Sequence, residues 1–167
     1  EAVNFFIKKK YKIITVDNNL RKYFFGKNAD TNWQKKNQIK KFKNEIIHNS
    51  VDIRNYKKMT DIFFKYKKKI KCIIHAAAQP SHDWAYKEPI LDFDVNAKAT
   101  LHLLECTKKF CPKATFIYVS TNKVYGDTPN KLTIKEKKTR FEIVDKKYKK
   151  GINENLTIDK STHSLFG

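Results

Sequence analysis

Short apolar runs alternate with amphipathic or polar stretches along most of the chain. Runs rich in β-branched and aromatic residues predict four strands, at 12–17, 45–52, 70–77 and 116–121. Met59, Ile62, Phe63 and Tyr66 at helical spacing predict a helix over 56–69. Helices are also expected over about 33–44 and 91–110, and residues 1–9 resemble the tail of a helix. Strands that alternate with helices of this length predict an α/β fold with a doubly wound parallel sheet, in one domain over 1–167.

The remaining segments carry weaker signals. The polar stretch after the first strand predicts a loop before the helix at 33–44, and the Lys-rich residues after Gly126 predict mostly loop. Ser161 to Gly167 resemble the start of another helix. In the helix at 91–110, we expect Leu101, Leu104 and Cys106 to face inward.

The chain is strongly basic, with a formal net charge of +19 and only three arginines among its 36 basic residues. The commonest base-reading and bidentate phosphate contacts favour Arg over Lys. We therefore interpret the excess Lys as codon bias expressed on solvated faces. Specific nucleic-acid binding is not expected, although some attraction to anionic ligands is.

Cys72, Cys106 and Cys111 lack the spacing of metal ligands, and the first two lie in apolar runs. This pattern predicts buried thiols in a reduced compartment, and no metal site. No apolar run is long enough for a bilayer, and no signal peptide is visible. We therefore expect a cytoplasmic protein without a membrane partner.

Polar residues follow the first two strands. A carboxylate at Asp17, followed by Asn18, can accept both hydroxyls of an adenosine ribose, which favours NAD over NADP. The alternative is a solvated turn aspartate. Asp52 can bond an adenine amino group while Ile53 packs on the ring. The alternative is that Asp52 caps the next helix.

The third strand runs from His75 into Ala76, Ala77, Ala78 and Gln79. Small residues let a dinucleotide approach the backbone, although helix–strand packing also explains them. The segment Gln79-Pro80-Ser81-His82-Asp83-Trp84 then concentrates polar and aromatic groups beyond the strand. On the following helix, Asn96 is interpreted as a group that satisfies neighbouring backbone groups and so supports the site.

The fourth strand ends in two hydroxyls, Ser120 and Thr121. Ligands of doubly wound folds bind at this edge of the sheet, so Thr121 could bond a substrate hydroxyl that undergoes oxidation. The alternative is a turn threonine at a strand end. Asn122 and Lys123 follow, and neither can act as a carboxylate acid or base. His163 either touches substrate or lies at the surface.

In this chain order, these landmarks resemble the extended short-chain dehydrogenase/reductase superfamily of nucleotide-sugar enzymes, the NAD-dependent epimerase/dehydratase family. Its CDP-paratose 2-epimerase (CDP-tyvelose epimerase) branch is the most similar. Three stretches carry this resemblance: 17–21 with 24–26 and Trp33, then 76–85, and 120–130. The resemblance implies a partial Rossmann-like NAD-binding domain of a cytoplasmic isomerase of O-antigen or lipopolysaccharide biosynthesis, homo-oligomeric at full length.

By this resemblance, NAD is tightly bound and recycled. A hydride leaves C2 of CDP-paratose to give a 2-keto sugar and then returns to the other face, which gives CDP-tyvelose. The implied cofactor-binding residues are Asp17, Asn18, Asp52, Ile53, Ala76, Ala77, Ala78, Gln79, Asn96 and Ser120. The implied substrate-binding residues are Ser81, His82, Asp83, Thr121, Asn122, Lys123 and Tyr125. Thr121 and His82 are the implied catalytic side chains.

The chain departs from the family pattern at two catalytic positions. Related 4,6-dehydratases place Asp-Glu after the threonine, where this chain has Asn122-Lys123, and this argues against dehydration. The family's Tyr-x-x-x-Lys pair uses Tyr as acid and base, but Phe166 stands at the usual Tyr position. Because Phe cannot transfer a proton, another group must serve. The candidates are His82, Asp83, Tyr125 and His163.

Phe166 also leaves other functions open. One is another nucleotide-sugar reductase or epimerase of the superfamily, and another is a catalytically silent NAD-binding protein.

The family's Gly-rich turn, which cradles the pyrophosphate, is absent from the sequence. In the strand order 3-2-1-4-5-6, the strand before that turn would lie between those at 12–17 and 70–77. We therefore expect an inactive excerpt of a longer protein that does not fold stably alone.

Overall fold

The computed structural model describes residues 1–158, without the side chains of Asn122 and Lys123. The chain forms two compact units, one ending at Tyr118 and the other beginning at Val119. No helix among the described residues is long and apolar enough to cross a membrane. The predicted helix from Ser161, with His163 and Phe166, lies outside the described residues.

Helices and strands alternate through the first unit. Its helices are α1 Ala2–Lys8, α2 Leu20–Phe25, α3 Asn32–Lys41, α4 Tyr56–Tyr66, α5 His82–Lys87, α6 Pro89–Phe93 and α7 Ala99–Phe110. Its strands are β1 Ile13–Val16, β2 Ile46–Asn49, β3 Cys72–His75 and β4 Thr115–Tyr118. The four predicted strands are therefore confirmed. Each is shorter than predicted, and β4 begins one residue earlier, at Thr115.

The strands form two parallel pairs. β1 pairs with β2 from Ile13 opposite Ile46 onward, and β3 pairs with β4 from Cys72 opposite Thr115 onward. Parallel pairing joined by helices confirms the predicted α/β class. Within the described residues, β1 and β3 have no strand along their other edges. This division lies where the strand order predicts the absent strand, between those at 12–17 and 70–77. That the chain does not fold stably alone stays a prediction.

The core lies between α4 and α7. Met59 and Phe63 of α4 are buried against Leu103 and Cys106 of α7, in a cluster that also includes Cys111. Sheet residues from both pairs pack against this cluster, including Val16, Ile73 and Phe116. Each large apolar side chain buried here contributes about 1.5–3 kcal/mol. The helical layer therefore contacts both strand pairs.

The three cysteines are free: Cys106 and Cys111 are buried, and Cys72 is half-buried. Burial raises the pKa of the Cys106 and Cys111 thiols, because the thiolate would lose its hydration. These two thiols therefore behave as small apolar core groups.

The helix predicted over 91–110 is divided, with a π-helical segment, Asp94–Lys98, between α6 and α7. The inward orientation of Cys106 is confirmed. The same prediction for Leu101 and Leu104 was wrong, since they are 62% and 42% exposed. The buried face of α7 carries Ala99, Leu103 and Cys106 at helical spacing, so Leu101 and Leu104 lie on another face.

Two short helices, α2 and α5, were not predicted, and the loop expected after the first strand is partly helical. The indole Nε1 of Trp84 in α5 donates to the backbone oxygen of Phe24 in α2 at 2.7 Å. Their rings also contact each other edge to face. Tertiary contacts of Trp84 thus connect the two helices, and such contacts leave no periodic signal in six residues.

The second unit is mostly irregular, as predicted, but it contains an antiparallel hairpin that was not predicted. Strand β5, Ile134–Glu136, pairs with β6, Phe141–Ile143. Short 3-10 turns surround the hairpin, including Asn122–Tyr125. Because β4 ends at Tyr118, Ser120 and Thr121 follow the strand instead of ending it.

Candidate functional site

Polar side chains gather where β1 and β2 end. The backbone N–H of Asp17 continues the strand pairing by donating to the oxygen of Asn49 at 3.2 Å. One carboxylate oxygen of Asp17 accepts the backbone N–H of Asn19 at 2.5 Å, and Asp17 is exposed. The Asn18 amide donates to Asp52 Oδ2 at 2.9 Å. The structure therefore brings Asp17, Asn18 and Asp52 to one edge, although Asp17 still fits either a ribose ligand or a turn aspartate.

Asp52 forms a two-pronged ion pair with Arg54. Arg54 Nε donates to Oδ1 at 3.0 Å and Nη2 donates to Oδ2 at 2.7 Å. Oδ1 also accepts the Arg54 backbone N–H at 2.8 Å. The Arg54 side chain is the main reason that the pKa of Asp52 lies below its ordinary value. Asp52 is therefore ionised, and an adenine amino group would compete with Arg54 and Asn18 for its oxygens.

The alternative that Asp52 caps α4 is wrong. Asn55 is the N-cap, because its side-chain oxygen accepts the backbone N–H of Lys58 at 3.0 Å. The sequence reasoning also missed Arg54. The sequence signal for this pair was an arginine only two residues after Asp52.

A cleft of about 290 Å³ adjoins Asp17 on the α3 side of β1 and β2. His48 lines this cleft, with Nδ1 2.9 Å from Thr15 Oγ1. Its Nε2 is buried without a hydrogen-bond partner among the described residues. Burial is the main cause that lowers the pKa of His48. The sequence reasoning had assigned no role to this neutral histidine.

Beyond β3, three alanines leave the backbone accessible. Ala76, Ala77 and Ala78 are exposed and carry only a methyl group each. Gln79 is 4% exposed, and its amide is used within the protein. Its Nε2 donates to Asp92 Oδ1 at 2.7 Å and to the Ser81 oxygen at 2.9 Å, and its Oε1 accepts the Ser81 N–H at 2.6 Å. The Gln79 side chain thus organises the loop.

Asn96 holds the backbone of Gln79 from the π-helical segment. Its Oδ1 accepts the Gln79 N–H at 2.9 Å, and its Nδ2 donates to the Gln79 oxygen at 3.0 Å. Nδ2 also donates to Asp92 Oδ1 at 3.0 Å. Asp92 was missed by the sequence reasoning, although its spacing of four from Asn96 places both residues on one helix face. A direct contact of Asn96 with a cofactor stays a prediction.

The segment after Gln79 begins α5. The Ser81 hydroxyl accepts the Trp84 N–H at 3.4 Å, so Ser81 caps this helix. His82 and Asp83 follow in the exposed first turn, where a carboxylate complements the helix dipole. The three residues Ser81, His82 and Asp83, each predicted to contact substrate, therefore lie together at the N-terminus of α5.

His75 is a buried structural histidine. Its Nε2 lies 2.8 Å from Thr100 Oγ1, and this hydroxyl donates its proton to the Asn96 oxygen. Nε2 is therefore the donor to Thr100. Burial lowers the pKa of His75, so the ring is neutral at pH 7. This chain of bonds connects β3 to the helix segment that holds Gln79.

In the second unit, Ser120 and Thr121 are exposed just before the turn Asn122–Tyr125. The Tyr125 hydroxyl donates to the Asn153 oxygen at 3.3 Å. Tyr125 follows Thr121 by four residues in the sequence, and its phenol can donate or accept a proton.

Several known proteins are similar in sequence to this chain. A family described as GDP-mannose 4,6 dehydratase matches residues 2–142. CDP-paratose 2-epimerase of Salmonella typhi is 35% identical over 123 residues, covering 74% of this chain and 34% of that protein. CDP-glucose 4,6-dehydratase of Salmonella typhimurium is 29% identical over 85 residues, covering 50% and 23% respectively. The chain thus spans about a third or less of these two curated relatives.

A solved structure has the same fold. UDP-glucose 4-epimerase from Bifidobacterium longum, in complex with NAD+ and UDP, superposes with a TM-score of 0.61. Its sequence is 23% identical, and the match covers 80% of this chain and 37% of that chain. This likeness shows that the chain has a Rossmann fold.

Proposed function

The chain belongs to the GDP-mannose 4,6 dehydratase family of nucleotide-sugar epimerases and dehydratases, and from this membership we propose that it is the NAD-binding part of a longer epimerase. The proposed reaction converts CDP-paratose to CDP-tyvelose by inversion at C2. The similarity to CDP-paratose 2-epimerase over 123 residues is the observation that carries this proposal. The one-sided strands β1 and β3 support the idea that further chain completes the sheet.

The described residues fit two ends of NAD. Asp17 is exposed where β1 ends and can accept the hydroxyls of the adenosine ribose. The bare backbone at Ala76–Ala78 suits the close approach of the nicotinamide side. The glycines of the chain, at 26, 126, 151 and 167, are too far apart in the sequence to match the Gly-rich motif of the pyrophosphate turn. When bound, NAD would accept the C2 hydride and return it.

In the proposed reaction, the residues of this chain bind the sugar C2 oxygen and move its proton. We assign Thr121 to bind this oxygen through its hydroxyl. The proton must leave when C2 is oxidised to the ketone and return when C2 is reduced. Phe166 cannot carry this proton, so the proposed proton carrier is one of four other side chains: Tyr125, His82, Asp83 or His163. Tyr125 shares the second unit with Thr121.

Epimerisation is favoured over dehydration by the two residues after Thr121. Elimination of water from a sugar needs an acid and a base placed beside the reacting carbons. Asn122 and Lys123 offer an amide and an ammonium group there, where related dehydratases carry Asp-Glu. This difference supports epimerisation, although the family description and one relative name dehydratases.

The presence of Phe166 supports a second candidate function. A protein that binds NAD but lacks the proton-transferring Tyr could act as a catalytically silent sensor. Another nucleotide-sugar reductase or epimerase of the same family is the third candidate, because the sugar is inferred from similarity alone.

We also propose that the longer enzyme is a homo-oligomer. An exposed apolar stripe extends along α6, the π-helical segment and α7. Ile90 is 77% exposed, Phe93 61% and Leu101 62%, and Ala97 and Leu104 continue the row at spacings of three and four. Such a stripe is typical of helices that pack against a second copy. The cytoplasmic location also belongs to this proposal, since the three cysteines are free, as is usual in a reducing compartment.

The test is to incubate the longer protein with CDP-paratose and to follow the configuration at C2 by NMR. We expect inversion without release of a reduced sugar or of water. Bound NAD without inversion would support the sensor or another nucleotide-sugar enzyme. Paratose already lacks the 6-hydroxyl, so a dehydratase is tested separately with CDP-glucose, where formation of a 4-keto-6-deoxy sugar would support it.

A further inference from the structure

A shallow cavity of about 850 Å³ lies at the opposite end of β3 from the candidate site. Lys71, which precedes β3, lines this cavity, whereas Ala76–Ala78 follow the strand. The cavity is also bounded by the ends of α4 and α7. We name the lining cations the lysine cradle: Lys65, Lys67, Lys68, Lys69, Lys71 and Lys109.

The lysine cradle has no internal counter-charge. None of its lysines forms an ion pair within the described part of the chain, and no acidic residue lines the cavity. Lys65 and Lys109 lie in the last turns of α4 and α7, where a cation complements the helix dipole. That reason does not extend to the other four, Lys67, Lys68, Lys69 and Lys71. Their mutual repulsion favours an anionic ligand.

The floor of the cavity is aromatic. Phe64 is 57% exposed, and its ring packs edge to face against Phe110 with 6.0 Å between centroids. Lys67 has a left-handed φ of 42°, which a residue with a side chain rarely adopts. In this conformation its Nζ lies 3.9 Å from the Phe64 ring centroid. Apolar contact area is thus held among the positive charges.

We propose that the lysine cradle binds an acidic peptide segment of a partner protein. Its Asp or Glu side chains pair with the lysines, and one apolar side chain covers the exposed edge of Phe64 beside Phe110. Charge complementarity would set the encounter rate, and the apolar contact would select the register.

Two other polyanions fit the cavity less well. A nucleic-acid base needs a free aromatic face, but the Lys67 ammonium lies over the Phe64 ring, and no Arg lines the cavity. Aromatic anchors of a membrane surface protrude, whereas these rings line a concave wall. An extended acidic peptide can enter the concavity and still reach the rim.

The experiment uses the longer protein and a fluorescent peptide of sequence Asp-Glu-Glu-Leu-Glu-Glu-Asp, with anisotropy as the readout. We expect K68A/K69A to weaken binding about tenfold. The matched control is K57A/K58A, which removes the same charge from exposed positions at the other end of α4 and should change affinity less than about twofold. Circular dichroism verifies that both variants are folded.

The apolar contact has its own test. F64S should weaken binding of the Leu peptide but not of a Gly-substituted peptide. Equal losses in the two lysine variants would indicate diffuse charge attraction and would overturn the proposal. It would also be overturned if poly(U) RNA or phosphatidylserine vesicles bind the cradle and displace the peptide at lower concentration.

Discussion

The side chain of Asn96 is bonded to both backbone polar groups of Gln79. Its oxygen accepts the Gln79 N–H at 2.9 Å, and its amide donates to the Gln79 oxygen at 3.0 Å. Asn96 thereby imitates a strand neighbour just beyond the end of β3. The loop that we assign to the nicotinamide side is held in place from a helix.

Replacing Asn96 tests this arrangement. Asn96→Ala removes both bonds and leaves the backbone groups of buried Gln79 without partners, so we expect a loss of about 2–3 kcal/mol in unfolding free energy. Urea unfolding of the longer protein measures it. Asn28→Ala, at an exposed position, is the control and should leave stability unchanged. A loss no larger than that of the control would contradict the assigned role.

The Asp52–Arg54 pair makes stability depend on pH. Arg54 holds the pKa of Asp52 below its ordinary value of 3.8, so the pair stabilises fully above that pH. Its contribution disappears as pH falls through the lower pKa of the folded state. We expect Arg54→Met to cost about 1 kcal/mol at pH 7. The cost should vanish toward strong acid.

Urea unfolding across this pH range, with Arg21→Met as control, measures the difference. Arg21 has no carboxylate partner among the described residues. A cost for Arg54→Met that is independent of pH would show that the arginine acts through packing and not through the Asp52 charge.

Asp17 is predicted to select NAD over NADP. Asp17→Ala should weaken NAD binding about tenfold, because two ribose hydroxyls lose an acceptor. It should also improve binding of NADP relative to NAD, because the carboxylate no longer repels the 2′-phosphate. Calorimetric titration with both nucleotides measures this ratio. The control Asp61→Ala removes an equal charge from exposed α4, and an identical ratio in both variants would argue against a ribose contact.

Thr121 is predicted to act on the sugar and not on the cofactor. Thr121→Val keeps the shape but removes the hydroxyl, so we expect kcat for C2 inversion to fall about 100-fold. NAD affinity should stay unchanged. NMR rates and calorimetry separate the two effects, with Thr133→Val as an exposed control. Unchanged inversion in Thr121→Val would remove this residue from the proposed reaction.

The stripe on α6 and α7 is predicted to join two copies. Phe93→Glu places a charge on an apolar interface, so we expect the oligomer to dissociate in sedimentation velocity experiments. Phe5→Glu on α1 alters a comparably exposed ring elsewhere and should leave the mass unchanged. An oligomer that survives Phe93→Glu would place the interface on another surface.

Several site features could not be predicted because they depend on contacts between distant segments. The alternation of apolar runs predicts the strands, and polar residues after those strands predict Asp17 and Asp52. The pattern does not show that Asp92 bonds both Gln79 and Asn96. Nor does it show that Trp84 contacts Phe24 across about 60 residues. Both depend on how α5 and the π-helical segment pack, which local periodicity does not encode.

By itself, the sequence determined the parallel α/β class, because strand-forming runs separated by helices can pair only through crossovers. It also determined which polar residues follow each strand. Only the tertiary structure decided which of those polar groups remain accessible and can therefore bind a ligand. Gln79 and Asp52 have their polar atoms bonded within the protein, Leu101 is exposed although it is apolar, and Asp17 remains accessible. Availability depends on which neighbours a side chain meets after folding, and those neighbours come from other elements.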